Sequence, residues 1–205
     1  MFHRILASLL VAAAIVQAVR ASKNTNADVS VYGDEVGIKR FAWVTSHLQK
    51  GDRLARSGAP DFGGEDTDQY LSGRGLQFLK SQGITHVISV NSAAKFKTME
   101  RALAKGGIAY TPLPVKDRGV PSLGDYEKAW NAFKAHRTGA TLVWCGYGHG
   151  RTGAMITALQ MFAEHEGPRP HLFTHADFQA NIVENDGQRN SLLALQKMLF
   201  ERRPK

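Results

Sequence analysis

The chain has 205 residues, enough for one domain at about 150 residues per domain, and its 43% hydrophobic and 21% charged content supports a buried core and excludes disorder. Lys and Arg number 26 against 18 Asp and Glu, a formal charge of +8, yet the basic residues are spread along the chain and form no nucleic-acid stripe. A single cysteine excludes an internal disulfide framework and a multi-cysteine zinc site.

Residues 1–21 have the layout of a secretory signal peptide: Arg4, an apolar stretch from Ile5 to Val19, then small residues Val19 and Ala21 before a cleavage point. The competing reading is a membrane anchor, but the apolar run is shorter than the roughly 20 residues that cross a bilayer. The expected location is therefore secreted or secretory-pathway lumen, with no stable membrane insertion after cleavage. Cleavage removes Arg4 and Arg20 and leaves a net charge of +6, an excess that reads either as solubility or as attraction to anionic substrates. Residues 22–40 are polar and turn-rich and predict a loose arm before a folded domain over 41–205.

Within that domain Phe41–Val44 predicts a strand, the stretch Asp52–Pro60 holds a second one ending at Pro60, and the Gly- and Asp-rich residues 61–73 predict a loop. A helix over Gly75–Gln82 stops at Gly83, followed by a buried strand over Thr85–Val90. Lys95–Lys105 reads as a helix, and Ile108–Val115 as a strand whose prolines mark an edge or an early end. Leu123, Tyr126, Trp130 and Phe133 form a helical stripe opened by a Ser122–Asp125 capping box. Thr141–Trp144 predicts a strand and Met155–Phe162 a helix. Phe178 with Ile182, and Leu192, Leu195 and Met198, predict two more helices. The alternation predicts an α/β domain with a mostly parallel central sheet flanked by helices.

Cys145 follows the apolar strand directly, and Gly146, Tyr147, Gly148, His149, Gly150, Arg151 and Thr152 lead into the next helix. A glycine-rich turn can aim several backbone N–H groups at one point, and the helix N-terminus adds its dipole there. Arg151 can hold two phosphate oxygens at once. A cysteine in this field is stabilised as thiolate. Nucleophile and phosphate cradle thus share one loop.

The run Cys145-x5-Arg151-Thr152-Gly153 resembles the signature loop of the cysteine-dependent protein tyrosine phosphatase superfamily, and the short chain resembles its dual-specificity-phosphatase-like branch. Arg56–Phe62 is similar to an early segment of several members, and Val115–Ser122 resembles the loop that supplies the general acid. The resemblance implies that Cys145 attacks phosphorus, that the 146–151 amides and Arg151 bind the phosphate, and that Thr152 hydrogen-bonds the sulfur. Asp117 is the expected acid, since Asp125 is occupied in the capping box. Arg56 either braces the loop or sits on the surface. Gln188 is read as structural, and His171 with His175 as a surface pair. Two departures stand out: Trp144 occupies the place where the family usually has His, and Tyr147 that of a small residue.

The expected function is hydrolysis of phosphate monoesters through a cysteinyl-phosphate, on phosphorylated protein or peptide. The alternatives are inositol phosphates or another small phosphorylated metabolite, with Lys116, Arg118 and His149 as candidate contacts, or a catalytically weak phosphate-binding module. No metal or cofactor and no nucleic-acid partner is expected, and the oligomeric state is left open.

Overall fold

The computed structural model describes residues 26–67 and 69–202. The leader expected over 1–21 lies outside them. Among the described residues no helix is long and apolar enough to cross a membrane.

Five strands form one sheet: β1 (Ala42–Val44), β2 (Leu54–Gly58), β3 (Ile84–Ser89), β4 (Ala109–Pro112) and β5 (Ala140–Cys145). Their order is β1-β2-β5-β3-β4. Only the β1–β2 pair is antiparallel; β2–β5, β5–β3 and β3–β4 are parallel. The mostly parallel α/β architecture read from the alternation is therefore present. β4 lies at the edge and stops at Pro112, where proline removes a ladder donor.

Seven helices are described: α1 (Asn26–Glu35), α2 (Gly73–Ser81), α3 (Lys97–Lys105), α4 (Leu123–Ala135), α5 (Gly150–Glu166), α6 (His175–Ala180) and α7 (Asp186–Glu201). The capping box of Ser122 and Asp125 opens α4. Side chains alternate across β5, so Val143 and Cys145 join the core beneath α4, α5 and α7. Leu142 and Trp144 join the opposite core beneath α1, α2 and α3. Residues 150–163 of α5 are buried throughout, as expected of a helix enclosed on every side.

Two expectations require correction. The polar arm over 22–40 contains α1, and the chain following it is anchored in the core: Val29, Val36 and Ile38 are buried, and Tyr32 packs edge-on against Phe78. A few well-placed apolar residues suffice to dock a helix whose composition is polar. Ile182 is not on the helix of Phe178; it lies beyond α6 with φ of 60° and is exposed.

Candidate active site

β5 is the central strand, and its C-terminal end delivers Cys145 at the point where chain connections diverge to either side, the usual ligand position in an open parallel sheet. The loop then turns tightly into α5. Gly148 has φ of 93°, and a Cβ there would lie 2.6 Å from the Gly58 nitrogen and the Ser57 carbonyl. Glycine is required on both counts.

The loop's carbonyl oxygens are drawn outward. Those of Cys145 and Gly146 accept from the Ala59 N–H at 2.7 and 3.0 Å. That of Tyr147 accepts from Arg40 Nε at 2.6 Å, and that of Gly148 from Arg56 Nη2 at 2.9 Å. With the carbonyls tied on the outside, the peptide planes turn their amides inward, and the Gly148 N–H donates to Cys145 Sγ at 3.2 Å. Arg56 also donates to the Asn181 carbonyl at 2.9 Å, so it braces the loop against the α6–α7 connection.

Arg151 closes the rim. Its guanidinium makes a two-point ion pair with Asp66, from Nη1 to Oδ2 and from Nη2 to Oδ1. It also donates from Nη1 to the Val115 carbonyl at 3.0 Å and from Nη2 to Asp117 Oδ1 at 2.8 Å. The two carboxylates differ in kind. The Asp66 side chain is 5% exposed and accepts from the Ser92 N–H at 3.0 Å, whereas the Asp117 side chain is 64% exposed. Burial pushes the Asp66 carboxyl up, but hydrogen bonds from Arg151 and Ser92 outweigh it and hold the group below its ordinary value. Burial likewise disfavours the Arg151 charge, and Asp66, Cys145 and Asp117 more than restore it. Asp66 is therefore the enclosed partner of the guanidinium, and Asp117 the solvent-exposed one.

The sequence reading missed Asp66. It sits in the Gly- and Asp-rich loop between β2 and α2, where nothing in its spacing distinguishes it from the neighbouring acids. The expected Thr152–sulfur bond is not formed: Thr152 Oγ1 is buried and makes no hydrogen bond. The Gly148 amide meets the sulfur instead. Asp117, Arg118, Tyr147, His149, Gly150 and Glu184 surround Cys145 and Arg151 in one small cleft. Arg118 has φ of 53°, which reverses the chain beside Asp117. Lys116 is exposed and does not line this cleft. His149 lies 3.8 Å from Glu184; burial and the nearby Arg56 lower its pKa.

Gln188 is structural, as expected. Fully buried, it donates to the Gly119 carbonyl at 3.0 Å and accepts from the Glu184 N–H at 3.1 Å, strapping the Asp117 loop to α7. Trp144 is buried on the far face of the sheet, away from the sulfur. His171 stacks not with His175 but on His47, at 4.4 Å and 26°. His47, His171 and Asp177 are the one such cluster among the described residues whose ligand atoms lie within 4.8 Å. Two nearly parallel imidazoles cannot both direct in-plane lone pairs at one ion, and Asp177 Oδ2 already accepts from the Thr174 N–H and hydroxyl.

The model of the Swiss Army Knife protein DSP-PTPase phosphatase domain, PTP-SAK, matches residues 68–198. No curated protein matches the chain. Among solved structures, kinase associated phosphatase, with its catalytic-site cysteine replaced by serine, aligns with a TM-score of 0.62 at 15% identity, covering 80% of this chain and 97% of that one. A DUF442 protein from Shewanella putrefaciens CN-32 aligns at 0.55 and 18% identity, covering 84% and 96%. PTPMT1 in complex with PI(5)P aligns at 0.53 and 15% identity, covering 77% and 95%. At these identities the likeness is one of fold. The family match spans well over half the chain and includes Asp117, Cys145 and Arg151, and the chain therefore belongs to the PTP-SAK family of DSP-PTPase phosphatase domains.

Proposed function

We propose that the protein hydrolyses phosphate monoesters in two steps through a cysteinyl-phosphate on Cys145. The observation that carries this reading is one cleft lined by both Cys145, its sulfur held by the Gly148 amide, and Arg151, its guanidinium shared between a buried and an exposed carboxylate. An arriving phosphate competes for Arg151 with Asp117, the exposed partner, and not with Asp66. Displaced from the guanidinium, Asp117 can reach the leaving oxygen.

In the first step the thiolate forms an S–P bond, the P–O bond breaks, and Asp117, which takes up a proton from solvent once it has left the guanidinium, gives that proton to the departing oxygen. In the second, Asp117 takes a proton from water as the water oxygen attacks phosphorus, the S–P bond breaks, and inorganic phosphate leaves. Arg151 and the inward amides stabilise charge on the equatorial oxygens in both steps.

The cationic rim formed by Arg118, with Arg40 and Arg56 beyond the loop, favours a small polyanionic ester. Tyr147, half-exposed at the mouth, supports a second reading in which an aryl or peptidyl phosphate rests on its ring. The apolar run Ile5–Val19 supports secretion, to be tested by N-terminal sequencing of the exported protein. The activity is tested by p-nitrophenyl phosphate hydrolysis across pH with wild type, Cys145→Ser and Asp117→Asn. Cys145→Ser is expected to be inactive, and Asp117→Asn to be slowed about 100-fold with its pH profile altered on the limb set by the acid. A wild type that binds vanadate yet never turns over would overturn the reading.

A further inference from the structure

We propose that the cavity on the outer side of the signature loop is a second anion subsite, which binds a further phosphate group of the same small substrate, a phosphorylated cyclitol or sugar. This rests on the phosphatase reading above and names its substrate class.

The cavity is lined by Ser30, Arg40, Phe41, Ala42, Arg56, Gly148, His149 and Ile182, and has a volume of about 410 Å³. It borders the catalytic cleft directly, because His149 lines both. Its size lies within the roughly 300–1,000 Å³ range of small-molecule sites.

Charge identifies the ligand. Arg137, Arg151 and Arg189, all largely screened from solvent, each pair with a carboxylate: Arg137 with Asp52 and Glu166, Arg151 with Asp66 and Asp117, and Arg189 with Asp186. Arg40 and Arg56 form no such pair among the described residues, and no carboxylate lines the cavity. Their side-chain hydrogen bonds go to backbone carbonyls only: Tyr147 for Arg40, Asn181 and Gly148 for Arg56. Two half-buried guanidiniums with no anionic partner thus face one void. Burial disfavours the charge on Arg56, and the neighbouring Cys145 pulls the other way. A dianionic phosphate in the cavity would neutralise both guanidiniums.

Both arginines also hold loop carbonyls, so the test must separate bracing from binding. Bracing affects every substrate alike, whereas binding affects only the substrate with a second phosphate. The measurement is kcat/KM of the full chain for an inositol bisphosphate, an inositol monophosphate and p-nitrophenyl phosphate. Wild type is expected to prefer the bisphosphate over the monophosphate by about tenfold. Arg40→Gln is expected to reduce that ratio toward one, whatever it does to the absolute rates. Ser30→Asp, which places a carboxylate on the α1 wall of the cavity, is expected to reduce the ratio as well, whatever it does to p-nitrophenyl phosphate turnover.

Vesicles carrying a phosphatidylinositol bisphosphate form a parallel arm. Preference there and not for the free bisphosphate assigns the second phosphate to a lipid headgroup; preference for the soluble compound assigns it to a free polyphosphate. A wild-type ratio near one in both arms, or a ratio that neither substitution changes, overturns the subsite. If the wild type hydrolyses nothing, calorimetric binding of the bisphosphate and the monophosphate to Cys145→Ser decides the subsite independently: equal affinity overturns it, and tighter bisphosphate binding that Ser30→Asp removes supports it.

Discussion

Replacing Asp66 with Asn tests whether a buried carboxylate governs the Arg151 guanidinium. Asp66 gives Arg151 two charge-assisted hydrogen bonds, and its side chain is almost wholly enclosed. Asn keeps one acceptor oxygen and places an amide N–H₂ where the other oxygen accepted. The loss is one charge-assisted bond, about 1.5–3 kcal/mol. If that loss is felt in full when Arg151 meets the transferring phosphoryl group, kcat/KM falls about 10- to 150-fold, at about 1.4 kcal/mol per tenfold. Breaking a buried pair costs about 3–5 kcal/mol of stability when the remaining charge is stranded. Asp117 still holds Nη2 at 2.8 Å, so the smaller figure of about 2–3 kcal/mol is expected. In a chain of this size that lowers Tm by about 5–10 °C. The assays are p-nitrophenyl phosphate kinetics and thermal melts of Asp66→Asn and Asp66→Glu, with partial recovery expected in the latter. Unchanged kinetics would refute that control of Arg151. Faster turnover would show that the carboxylate competes with phosphate for the guanidinium. The sign of the pH dependence follows from the depressed Asp66 pKa. Its stabilising contribution is present above the ordinary value of 3.8 and is lost only as pH falls through the lower folded value.

Three further outcomes are expected. Gly148→Ala combines a positive φ with a Cβ 2.6 Å from the Gly58 nitrogen; it should remove activity and cost several kcal/mol, about 3 or more, in urea titration. His86 is buried, bonded to Thr141 and Thr111 and stacked on His136; burial first, then that neighbour, lowers its pKa from 6.5 to about 3. The unfolded chain therefore binds the proton first as pH falls below 6.5, and wild type should lose about 1.4 kcal/mol per pH unit between those values, a slope that His86→Gln should lack. Trp144→Phe should lower stability by about 1–3 kcal/mol yet leave the pH profile of turnover unchanged, since the ring packs on the face of the sheet opposite Cys145; a shifted profile would place Trp144 in contact with the thiolate's surroundings.

Much of the fold is local and could be read directly from the chain. Strand and helix periods located β1 to β5 and α2 to α4 to within a few residues and marked the middles of α5 and α7, while Ile182 fell outside α6, and the Ser122–Asp125 box marked the start of α4. The signature loop was equally legible, because nucleophile, glycines, arginine and helix start are contiguous from Cys145 to Gly153. Spacing also separated Asp117 from Asp125 by assigning the latter a cap.

What remained hidden depends on contacts distant in sequence. Asp66 lies 85 residues before Arg151, and only the approach of the β2–α2 loop to the end of β5 makes it a partner. Arg40 reaches the loop from 107 residues away with nothing in its neighbourhood to mark it as a brace, and for Arg56, 92 residues away, only the contact chose between the brace and the surface cation that the resemblance left open. α1 was concealed because a polar helix docks through a few apolar residues that composition averages away. The sequence determined which groups share the signature loop. Tertiary structure decided their partners, because an ion pair is specified by approach in space and leaves no periodic trace along the chain.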